Sequence, residues 1–119
     1  MLGDQGERLA ADFLRAKGYR IIARNAMTPR GEADLVAWDP DERTLVVVEV
    51  KTRLRTGDPR ADAIPPEVNV TWAKRRRLHA ILCHLARSNQ WSDRPRRVDV
   101  VGVELTPDGH AHARLTRGV

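Results

Sequence analysis

The sequence predicts an α/β protein: a mixed central sheet of four or five strands flanked by helices. Three observations predict it. Two segments carry apolar residues at helical spacing, and four or five others read as strands between turn signals. Their order along the chain is α-β-β-β-α-β-β, which closes most simply as a mixed sheet with helices packed on it. The third strand is apolar on both faces and therefore needs cover on both sides.

The elements follow in order. Residues 4–17 place Leu9, Ala10, Phe13, Leu14 and Lys17 at helical spacing, with Asp4 as a candidate N-cap. Gly18 stands where a left-handed residue ends a helix. Tyr19 to Asn25 is a strand, and residues 26–31, with Thr28-Pro29-Arg30-Gly31, are a turn. Ala33 to Trp38 is a second strand. The Asp39-Pro40-Asp41-Glu42 turn joins it as a hairpin to the third, Thr44 to Lys51. From Thr52 to Asn69 the pattern gives way to Arg, Asp, Gly and Pro, and a mobile or functional loop over 52–69 is expected. Thr71 to Asn89 is the second helix, with Leu78, Ile81, Leu82, Leu85 and Ala86 as its buried stripe. Arg97 to Glu104 is the fourth strand, and His110 to Thr116 is a short fifth beyond Pro107-Asp108-Gly109. No repeat or change of composition divides the 119 residues, so one domain over 1–119 is expected.

Composition narrows the class. With 41% hydrophobic and 31% charged residues the chain is globular rather than disordered. No apolar run is long enough to span a membrane, so no membrane partner is expected. The opening MLGDQGERLAADFL lacks the pattern of a signal peptide, and the single Cys83 cannot form an internal disulfide. A cytoplasmic location is the expectation. Twenty-one basic residues against 16 acidic give a net charge of +5, which favours a polyanionic partner. Solubility alone would also account for the surplus, so its distribution matters more. Lys74-Arg75-Arg76-Arg77 opens the second helix, where cations oppose the helix dipole. A phosphate backbone would explain them, with Arg53, Arg55 and Arg60 from the preceding loop. A solvated charged face is the alternative.

Glu49-Val50-Lys51 ends the most hydrophobic strand. Alternation along a strand puts Glu49 and Lys51 on one face. Burying such groups is costly unless each is paired or holds a metal. Asp34 lies in the neighbouring strand of the hairpin, and adjacent strands are roughly 4.8 Å apart, so its carboxylate and that of Glu49 are placed to share one Mg²⁺ or Mn²⁺. Phosphodiester cleavage uses this set: the metal polarises the phosphate and activates water, and the lysine sits by that water or by the phosphate oxygens. A Glu49–Lys51 ion pair, with Asp34 in an unrelated turn contact, is the competing reading.

These residues resemble a known family. Gly31-Glu32-Ala33-Asp34-Leu35-Val36, Val47-Val48-Glu49-Val50-Lys51-Thr52-Arg53 and Arg97-Val98-Asp99-Val100-Val101 are similar to motifs of the bacterial YraN family. So are Gly3-Asp4-Gln5-Gly6-Glu7, Tyr19-Arg20-Ile21-Ile22-Ala23-Arg24-Asn25 and Lys74-Arg75-Arg76-Arg77-Leu78. That family belongs to the restriction-endonuclease-like, PD-(D/E)xK superfamily and is related to Holliday-junction resolvases. The resemblance implies that fold, with Asp34, Glu49 and Lys51 as catalytic core and Glu7 as an additional acidic group. It implies a metal-dependent endonuclease on DNA rather than RNA, with branched or structured DNA as the substrate. The rival is a nucleic-acid-binding or scaffold protein that keeps the fold without efficient catalysis. Cutting both strands of a symmetric junction would require two copies, hence a homodimer.

Other candidates divide. Asp4-x-x-Glu7 also fits a capping box, so catalytic support and capping stay open for Glu7. Glu32 shares a face with Asp34 and is held as a contributor or a solvated residue. Asp99 reads as a structural partner of Arg97 or Arg24 rather than a metal ligand. His79 with Cys83, and His110 with His112, supply two ligands each where zinc needs three or four, so zinc is rejected. Trp38, Trp72 and Trp91 could stack on unpaired bases, but scattered tryptophans more often pack in the core or at its rim, and no role is assigned to them.

Overall fold

The computed structural model describes residues 2–119 and has the expected α/β architecture, a five-stranded mixed sheet with helices on both faces. Helix α1 (Leu2–Ala16) is followed by strands β1 (Arg20–Thr28), β2 (Gly31–Trp38) and β3 (Leu45–Leu54). A single helical turn, α2 (Pro59–Asp62), and a 3-10 turn (Pro66–Asn69) precede α3 (Trp72–Ser88), β4 (Arg96–Leu105) and β5 (Ala111–Thr116). The strands lie side by side in chain order. All neighbours are antiparallel except β3 and β4, which are parallel and therefore need the long crossover that α3 provides.

Alternation along β3 fills two cores. Val46 and Val48 meet Ala10, Ala11 and Leu14 of α1, together with Leu35, Val101 and Val103. Leu45 and Val47 join Val36, Trp38, Val98 and Val100 beneath Leu78, Ile81, Leu82 and Ala86 of α3. These side chains are almost fully buried, and each such Val or Leu contributes roughly 1.5–3 kcal/mol. Trp38 packs edge-on against Trp91, with ring centroids 4.9 Å apart.

Several boundaries differ from expectation. Helix α1 begins at Leu2, so Asp4 stands inside the first turn rather than at the N-cap, and the Asp4–Glu7 capping box has no place. Gly18 does end the helix, at φ +94°, with Tyr19 N–H donating to the Leu14 carbonyl. Strand β1 continues to Thr28 because the turn is tighter than expected: Thr28 Oγ1 donates to the Gly31 carbonyl (2.7 Å) and accepts from Arg30 N–H (3.1 Å). Near its start β1 carries a bulge between Ile21 and Ala23, and Asn25 adopts a positive φ of 52°.

Strand β3 runs to Leu54 instead of stopping at Lys51, because its parallel partner β4 continues beside it to Leu105. The segment after it is pinned from within. The Arg53 guanidinium donates to the carbonyls of Ala61, Asp62 and Ile64 and to Glu104 Oε2 at 2.9 Å. Glu67 is tied in by Arg114, which also bonds Glu104, and the Glu67 carboxylate lies over Gly102, where a Cβ would approach it to 2.2 Å.

At the opposite end of the sheet Asp99 is fully buried and fully partnered. Arg97 Nε donates to it at 2.7 Å, Tyr19 O–H at 2.9 Å and Gly118 N–H at 3.0 Å. Arg97 also reaches Asp39, as does Arg117. The structural role expected for Asp99 is the one it has, with Arg97 as partner. Arg24 instead faces Glu7, at 3.9 Å.

Gly6 explains itself by contact: a Cβ there would lie 1.8 Å from Thr52 Oγ1 and 2.8 Å from Thr52 Cβ, so α1 touches β3 where only hydrogen fits. Gly6→Ala is expected to destabilise the protein by about 1–3 kcal/mol in urea unfolding, despite alanine's higher helix propensity. Asp99→Ala, which strands a half-buried guanidinium and a buried phenol, is expected to cost about 3–5 kcal/mol by the same measurement.

Candidate functional site

The site lies where β3 emerges from its double cover. Leu35 and Val48 form the last rung of the β2–β3 ladder, and beyond it a side chain replaces backbone pairing: Asp34 Oδ2 accepts Val50 N–H at 2.8 Å. That bond fixes the Asp34 carboxylate against β3 beside Glu49. Glu49 is buried, at 4% exposure. Its carboxyl is pushed up to about 7, first by burial and then by the hydrogen bond and negative charge of Asp34, with Lys74 acting in the opposite direction.

Two ammonium groups answer this charge. Lys51 Nζ lies 4.0 Å from Glu49 Oε2, on the shared face that the strand's alternation predicts. Lys74 Nζ is closer, at 3.3 Å. Sequence reasoning placed Lys74 with the outward cations, yet the helical stripe held the clue. Lys74 stands four residues before Leu78 and seven before Ile81, on the face that α3 buries. Thr71 caps this helix, its hydroxyl accepting Lys74 N–H at 3.1 Å, and so sets the angle at which the side chain descends.

The remaining candidates fall at graded distances from this centre. Glu7 turns inward from α1, and burial followed by the Asp34 charge raises its carboxyl above the ordinary range. Its Oε1 is buried with no hydrogen-bond partner, a costly state for a carboxylate oxygen. Glu32 is exposed near the hairpin tip and does not join the group. Arg53 is spent on its carbonyl and Glu104 bonds, so it is an anchor of the 55–67 segment and does not face outward. Arg75, Arg76 and Arg77 are exposed on α3, and the Arg77 stem lies against Gly31 at the start of β2. Among the described residues no three His, Cys, Asp or Glu side chains gather as a metal cluster. The hard donors that do converge are the Asp34 and Glu49 carboxylates. Such a pair suits Mg²⁺ or Mn²⁺, which keep several waters, and the Glu7 carboxylate, without a hydrogen bond at Oε1, adds negative character behind it.

Fold and site together define an α/β protein with an acidic pair and two lysines at the open end of a doubly covered central strand. The chain belongs to the family described as "Uncharacterised protein family UPF0102", the YraN family it resembles, which it matches over residues 6–103. It is 48% identical to a UPF0102 protein of Symbiobacterium thermophilum over 96% of this chain and 91% of the relative. It is 47% identical to one of Paenarthrobacter aurescens, over 87% and 79%. A UPF0102 protein of Arthrobacter sp. is 40% identical over all of this chain and 95% of its own length. Among the described residues no helix is long and apolar enough to cross a membrane.

The raised Glu49 carboxyl has a consequence for stability. The folded state holds this proton more tightly than the unfolded chain, whose value is near 4.5, so stability declines as pH rises from about 4.5 through about 7. Glu49→Gln should remove that decline, and its melting temperature at pH 8 should exceed that of the parent by roughly 5 °C. Thermal melts of both proteins at pH 5 and pH 8 check it; a parallel pair of pH profiles would refute the assignment.

Proposed function

We propose that this protein is a divalent-metal-dependent endonuclease acting on DNA, with branched or structured DNA as its substrate, in the cytoplasm. The observation that carries the reading is a buried carboxylate, Glu49, set beside Asp34 with Lys51 and Lys74 on the same carboxylate oxygen. A structural ion pair needs one lysine and no second acid. Two acids and two cations at the end of an apolar strand carry a desolvation cost that a purely structural role does not require.

Asp34 and Glu49 are the groups that would hold Mg²⁺ or Mn²⁺, which supplies a polarised phosphate and an activated water when bound. The chain's own contribution is positional. Val50 N–H holds the Asp34 carboxylate in place, and packing of α1 and α3 on β3 excludes water from the side of Glu49 facing the core. Lys51 positions the water or steadies charge on the phosphate. Lys74, placed by Thr71 and the α3 stripe, puts a second cation at the same point. Glu7 assists by adding negative charge. Arg75, Arg76 and Arg77 contact the phosphate backbone, while Arg53, expected to do so, works from inside the protein. For a symmetric junction two copies would act as a homodimer, which sedimentation velocity with and without DNA measures directly.

One observation favours a second reading, binding or scaffolding without efficient catalysis: among the described residues only two carboxylates converge, and Lys74 lies 3.3 Å from one of them. Incubation with labelled Holliday junctions, flaps and linear duplexes in Mg²⁺ or Mn²⁺ separates the two. The nuclease reading expects metal-dependent cleavage that falls by about 100-fold or more in Glu49→Ala and in Lys51→Ala. Binding without cleavage, or cleavage that survives both substitutions, overturns it.

A further inference from the structure

The fold separates three tryptophans that the sequence leaves alike. Trp38 is buried against Trp91, whereas Trp72, the first residue of α3, is 71% exposed. An indole offers one of the largest flat apolar surfaces a protein can present, and this one is held rather than loose. The Arg76 guanidinium lies over its ring, 4.9 Å from the centroid, one helical turn further on. The helix it opens is cationic. Every residue of α3 that carries a full charge is basic: Lys74, Arg75, Arg76, Arg77 and Arg87, with no Asp or Glu from Trp72 to Ser88. Two residues beyond Trp72, Lys74 reaches Glu49. The ring therefore stands on the outer side of the helix whose Lys74 turns in to Glu49, beside exposed guanidiniums suited to anions.

Charge and shape together select the occupant. An apolar protein segment would bury the ring but leave three guanidiniums without counter-charge. A regular duplex would satisfy the guanidiniums but presents its bases edge-on in the grooves, with their faces already stacked. A nucleotide with an unpaired base satisfies both, offering a flat face to the indole and phosphates to the arginines. We propose that Trp72 is a stacking platform for an unpaired base, with Arg75 and Arg77 on the flanking phosphates, so that this face prefers nucleic acid with single-stranded character. The proposal rests on the nucleic-acid part of the function proposed above and needs neither metal nor cleavage.

The test is therefore run on the full chain in chelator. Tryptophan emission is followed while single-stranded oligo-dT or a blunt duplex of equal length is added. The strand should quench the emission of the exposed indole more than the duplex does. Trp72→Ala should bind the strand about 10-fold more weakly while its duplex affinity stays within about twofold, and Trp72→Phe should keep most of the strand affinity. Matching thermal melts establish that the exposed position leaves the fold intact. Equal strand affinity in Trp72→Ala, an equal loss on duplex, or no quenching by either oligonucleotide overturns the proposal. Because no cleavage is read, inactivity of the parent in the nuclease assay leaves this result standing, and a failed stacking test leaves the cleavage assay untouched.

Discussion

Between Leu45 and Val48 strand β3 has no face on which a charge can rest, because α1 covers one side and α3 the other. Glu49 is the first position where the strand carries a charge past that cover, and it does so before reaching water. The same packing that stabilises the sheet desolvates its carboxylate. Everything polar nearby is arranged around that fact. Asp34 is tethered by Val50 N–H, Lys51 follows on the same face, and Lys74 is carried in by the helix that forms the cover. Site and core are consequently one construction.

The two ends of the sheet treat buried charge differently. At the Asp99 end each acidic oxygen meets a donor: Arg97, Tyr19, Arg117 and backbone N–H groups close the set around Asp99 and Asp39. Complete pairing of this sort rigidifies. At the Glu49 end pairing is looser, with a like charge alongside and a Glu7 oxygen that has no hydrogen bond and meets only Arg24, at 3.9 Å. Groups left in such a state are unfavourable for folding and suited to receiving something from outside. The hydrophobic core, concentrated in β2, β3 and β4, offsets the cost.

Much of this was legible in the residues. Apolar runs and turn signals identified both long helices and all five strands, and alternation along Leu45–Lys51 placed Glu49 and Lys51 together. What escaped was fixed by partners distant in sequence. The extension of β3 to Leu54 depends on β4, some fifty residues on, and the inward commitment of Arg53 depends on Glu104 and on carbonyls of a turn without periodicity. Lys74 parts from its neighbours for a different reason. Four consecutive basic residues read as one surface patch, whereas a helix rotates by about 100° per residue and sends one of the four to the buried side. Glu7 could not be resolved before the true start of α1 was known.

The edge strand β1 bears on how copies of this protein can meet. It is bulged between Ile21 and Ala23, bent again by the positive φ of Asn25, and edged with Arg20 and Arg24. A ladder of hydrogen bonds needs a flat, evenly spaced row of donors and acceptors, and this row is neither. The opposite edge, β5, is short and bears His112 and Arg114. Sheet-to-sheet zippering is thereby discouraged along both margins, which protects a valine-rich sheet from aggregation.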